Sequence, residues 1–67
     1  MKNYQHWSTE ALVSKKANLR ADIEQWENLL SHTRSFLIQL SLTSYIKRAQ
    51  EHIRAIDAEL CYREHNN

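Results

Sequence analysis

The 67 residues of this chain include no glycine and no proline. Glycine supplies the positive-φ corners of tight turns and proline the fixed kinks. Tight hairpins, glycine-rich phosphate loops and strained nucleophile elbows therefore all lack their usual residues. Long helices are the natural outcome for such a chain. A second cysteine is missing too: Cys61 stands alone, which excludes an internal disulfide and fits a reducing compartment. No apolar run approaches the roughly 20 residues that span a bilayer; the longest is FLIQLSL, at residues 36–42. The first residues, MKNYQHWSTE, carry no apolar stretch of the secretory kind. A cytoplasmic protein without membrane contact is the expectation. An excess of one charge is lacking as well. Nine Lys and Arg stand against eight Asp and Glu, a formal net charge of +1, whereas nucleic-acid-binding domains usually show a clear basic surplus.

What the chain does have is helical periodicity. Ser8 is a favourable N-cap, with Glu10 in the first turn, where the helix dipole favours a carboxylate. Trp7 precedes the cap at the spacing of a hydrophobic staple to Leu12. Leu12, Leu19, Ile23, Trp26 and Leu30 then mark the apolar stripe of an amphipathic helix over about residues 8–31. Lys16 interrupts the stripe, but its stem can lie along the seam. Residues 31–35 (Ser31, His32, Thr33, Arg34, Ser35) break the pattern, and Thr33 or Ser35 can cap a second helix over about 35–63. Its stripe reads Ile38, Leu42, Ile46 with Tyr45 beside it, Ala49, Ile53, Ile56 and Leu60. From Leu42 onward this is the four-three alternation of a coiled-coil seam. A break near Thr43 or Ser44, giving three helices, is the alternative.

Two helices joined by so short a corner pack as an antiparallel hairpin, an all-α single domain over residues 1–67. Charge order agrees with this. Folding back brings Lys47 and Arg48 toward Asp22 and Glu24, and Asp57 and Glu59 toward Lys15 and Lys16. A chain this short buries only about 60% of its unfolded surface and is marginal alone. Phe36, Leu37, Ile38, Leu40 and Leu42 also occupy more of the helix circumference than one neighbour covers. The expectation is a homodimer in which the hairpin tips meet to complete a four-helix bundle, together with a protein partner. Trp7, Trp26, Phe36, Leu37, Leu40 and Tyr45 are its candidate contacts, and Tyr4 and Tyr62 are candidates to cover the open end.

Reactive chemistry has little to build on. Cys61 and His65 stand four apart, and a hairpin brings His6 to the same end, but structural zinc takes four ligands in tight pairs. Ser31, His32 and Ser35 are close without an elbow to strain them, and Glu24, Glu27, Glu51 and Asp57 read as a solvated helix face. No catalytic residue, cofactor or metal is predicted, and no enzymatic activity. The function expected is that of a small, self-associating protein–protein interaction module acting as an inhibitor, chaperone or adaptor. The alternative is a helical-bundle nucleic-acid-binding regulator that uses Lys47, Arg48, Arg54 and Arg63. The acids Glu51, Asp57 and Glu59 interleave those cations at spacings that suit intrahelical pairing.

Overall fold

A computed structural model describes residues 4–65. Two helices account for nearly all of them: α1, Thr9–His32, and α2, Phe36–His65. The start of α1 is set by Ser8, whose extended backbone lets its hydroxyl accept the Ala11 N–H at 3.1 Å while its carbonyl accepts the Leu12 N–H at 3.0 Å. Glu10 lies in that first turn, beside the positive end of the dipole.

The corner is made without glycine. No described residue has a positive φ; Thr33 closes α1 in an extended conformation, its N–H bonded to the Leu29 carbonyl. The Asn28 carbonyl, in the last turn, also accepts from the Ser31 hydroxyl and from His32 Nδ1. Thr33 Oγ1 then accepts the Ser35 N–H, the Ser35 hydroxyl faces the Ile38 N–H at 3.5 Å, and the Gln39 amide returns to the Thr33 carbonyl. Side chains of Ser, Thr and Gln thus do what a left-handed glycine does at many helix ends.

Helix α2 runs unbroken through residues 43 and 44, which removes the three-helix alternative. The Thr43 hydroxyl donates to the Gln39 carbonyl at 2.8 Å, four residues back, a bond that the helix accommodates.

The two stripes meet antiparallel. Leu12 and Leu19 of α1 and Ala49 and Ile56 of α2 form a buried cluster with Tyr4, flanked by Ile23, Trp26, Ile53 and Leu60. Lys16 lays its stem along this seam and reaches Asp57 at 2.5 Å, as the charge order suggested. The other expected pairings between the helices do not form: Lys47 and Arg48 make no ion pair with Asp22 or Glu24, and Glu59 pairs instead with Arg63 one turn on, the intrahelical spacing noted in the sequence. Tyr4, not Trp7, joins Leu12 in the core; Trp7 packs edge-on against the Tyr4 ring, with centroids 5.1 Å apart. Ile38, expected on the seam, is half exposed, because the seam at that level meets the corner rather than another turn of α1.

The result is thin. The hairpin measures 49 × 20 × 16 Å, with a radius of gyration of 14.3 Å against about 11 Å for a compact chain of this length. Its accessible surface is 5514 Å², where a compact monomer of this mass exposes roughly 4,450 Å².

Candidate interaction surface

The two ends of the hairpin differ in character. At the open end, residues 4–7 form a turn closed by the Trp7 N–H to the Tyr4 carbonyl at 3.1 Å. Arg63, on the last turn of α2, fastens that turn down. Its Nε meets Glu59 at 2.8 Å, its Nη1 meets the Thr9 hydroxyl at 3.1 Å, and its Nη2 reaches the carbonyls of Tyr4, Gln5 and Trp7. Three carbonyls around one NH₂ group, which has two protons, mean that one bond is shared. The Tyr4 hydroxyl lies 2.9 Å from His52 Nδ1, and burial pushes its phenol above the ordinary value of 10.0. The open end is therefore a closed, hydrogen-bonded lid over the core. Sequence reasoning placed Tyr4 and Tyr62 there as candidate covers; Tyr4 is buried, whereas Tyr62 is 64% exposed. It named Arg63 only as a surface cation at pairing distance from an acid and missed its hold on the turn, because the acceptors are backbone carbonyls that leave no trace in residue identity.

At the tip the balance reverses. Phe36 is 69% exposed and Leu37 76%, and Ile38, Leu40, Tyr45 and Leu29 of α1 are each exposed by half or more. Ile38 and Tyr45 are seven apart and share a stripe; Leu37 and Leu40 continue it round the outside of α2. The rings of Trp26 and Tyr45 stand 5.7 Å apart, so that stripe is continuous with α1 at Trp26 and with Leu29 one turn on. Ser41 and Ser44 leave a shallow groove between Leu40 and Tyr45 that ends at Arg48. Taking roughly 200 Å² for a fully exposed large side chain, these six residues present on the order of 700 Å².

Five of the six candidate contacts thus lie in the tip half, although Trp26 is partly committed to the hairpin core. The sixth, Trp7, sits at the opposite end, about 36 Å of α1 away. Of the four cations proposed for nucleic acid, Lys47, Arg48 and Arg54 are exposed, while Arg63 has its donors engaged in the lid. Cys61 is exposed near the open end. No described helix is long and apolar enough to cross a membrane, and the described residues contain no cluster of three or more groups suited to a metal ion. The chain matches no family model, no curated protein and no solved structure.

Proposed function

We propose that this chain is a small, non-enzymatic protein–protein interaction module that works by self-association through the hairpin tip, two copies completing a four-helix core that one copy lacks. The observation that carries this reading is the apolar surface around Phe36, Leu37 and Leu40. At about 700 Å² it exceeds the largest patch of an ordinary monomer, roughly 300–600 Å², and it approaches the roughly 800 Å² per partner of a standard stable interface. The excess surface of the elongated hairpin supports the same reading. In the nucleic-acid reading the basic face shrinks to three cations with Glu51 among them, which supplies little of the phosphate-directed field such binding uses.

Sedimentation equilibrium over a range of concentrations tests the proposal, with a dimer expected. Leu37→Glu combined with Leu40→Glu yields monomers. Both side chains are more than half exposed in the single hairpin, so its helicity is retained. The first turn of α2 carries no acidic residue, so a carboxylate at residue 37 also suits the helix dipole. A wild-type chain that stays monomeric at every concentration overturns the proposal.

A further inference from the structure

Self-association through the tip leaves two arrangements open to a pair with two-fold symmetry. With the axis along the hairpins, the copies lie side by side, both corners at one end. With the axis across them, the tips overlap head-on and the open ends point apart. We propose the second: two copies pair tip to tip, antiparallel, over the segment from the corner to Tyr45, and the lidded open ends project outward as free arms.

Three observations lead there, all resting on the self-association proposed above. First, the exposed apolar surface is concentrated at one end. Along the outside of α2 it stops at Leu40 and Tyr45 and gives way to Lys47, Arg48, Glu51 and Arg54, all exposed. A side-by-side pair would carry its contact past this boundary and set Arg48, at the edge of the groove, against its own copy, like charge on like. A tip overlap ends before Lys47 and Arg54 are reached. Second, the open end offers less: among the described residues only Trp7, Val13 and Tyr62 are large apolar side chains exposed toward that end, against six at the tip, while Tyr4 is buried and the Arg63 donors are used within the chain. Third, the area matches. The six exposed side chains lie within about 15 Å of helix length, and covering them alone approaches what a stable dimer buries on each side.

The lone exposed cysteine gives a direct readout, since Cys61 sits about 30 Å along α2 from the centre of the proposed overlap. The full-length chain, spin-labelled at Cys61, is measured by pulsed dipolar spectroscopy at concentrations where sedimentation shows the dimer. Tip-to-tip pairing predicts one separation beyond about 50 Å, and side-by-side pairing one below about 40 Å, from the rise of the helix and the width of the hairpin. Small-angle scattering of the unlabelled dimer checks the same geometry. A maximum dimension near 80 Å is expected, against about 50 Å for side-by-side copies. A short separation, or a mixture of short and long, overturns the arrangement while leaving self-association standing. Absence of a dimer in sedimentation overturns both.

Discussion

At the scale of single residues, Tyr4 is the most informative side chain. It precedes the first helix, yet it is one of the few buried among the described residues, and its hydroxyl meets His52 across the hairpin. Burial raises its phenol above 10.0, so the folded chain holds that proton more tightly than the unfolded chain does. The sign follows by linkage. The contribution of Tyr4 is fully present below about pH 10, the unfolded value, and is lost as pH rises through the higher folded value. Urea unfolding between about pH 8 and 11 should therefore show stability falling at the alkaline end. In Tyr4→Phe the baseline drops by about 1 kcal/mol for the lost hydrogen bond, and the alkaline fall becomes shallower. An unchanged pH profile in that variant would assign the fall to some other group.

At the scale of elements, what joins the two helices matters as much as what forms them. Arg63 ties the C-terminal turn of α2 to the N-terminal turn of the chain through bonds to Glu59, Thr9 and three carbonyls. A lysine at this position keeps the charge but offers donors from a single point and cannot span Glu59 and the turn together. Arg63→Lys is expected to lower stability by about 1–2 kcal/mol, because the site is only partly sheltered. Hydrogen exchange at the Trp7 and Ala11 amides should speed up while exchange in the middle of α1 changes little; uniform acceleration would make Arg63 a general contributor instead of a latch. The helices themselves were legible in the sequence. Ser8 marks the first start and Thr33 or Ser35 the second, the stripes fix the buried faces, and the short corner requires the antiparallel sense, with Lys16–Asp57 the one cross-helix charge pair that agrees. The lid was not legible, since carbonyl acceptors carry no sequence signature. The seam position of Ile38 was misjudged because periodicity shows which face a residue occupies, not where the opposing helix ends.

At the scale of the whole molecule, the hairpin resembles half of a bundle: long, thin and apolar at one end. Periodicity showed that the start of α2 carries too many apolar residues for one neighbour. The hairpin itself places Trp7 at the end away from the corner, and the stripe places Trp26 on the inner face, so grouping both with the tip residues as contacts weighed aromatic character above position. A chain this small folds with little free energy to spare, so association through the tip should supply a measurable share of its stability by mass action. The melting temperature is then expected to rise with concentration, by about 3–5 °C for each tenfold increase in a domain of this size. Two variants separate assembly from folding. Ile56→Ala, at a fully buried position, lowers the melting temperature at every concentration and keeps the slope, since the cavity it leaves costs about 2–5 kcal/mol inside each hairpin. Leu37→Glu with Leu40→Glu removes the slope and brings the wild-type curve down to its low-concentration limit. A wild-type melting temperature independent of concentration across the range in which the dimer sediments would mean that the tips meet without stabilising the fold.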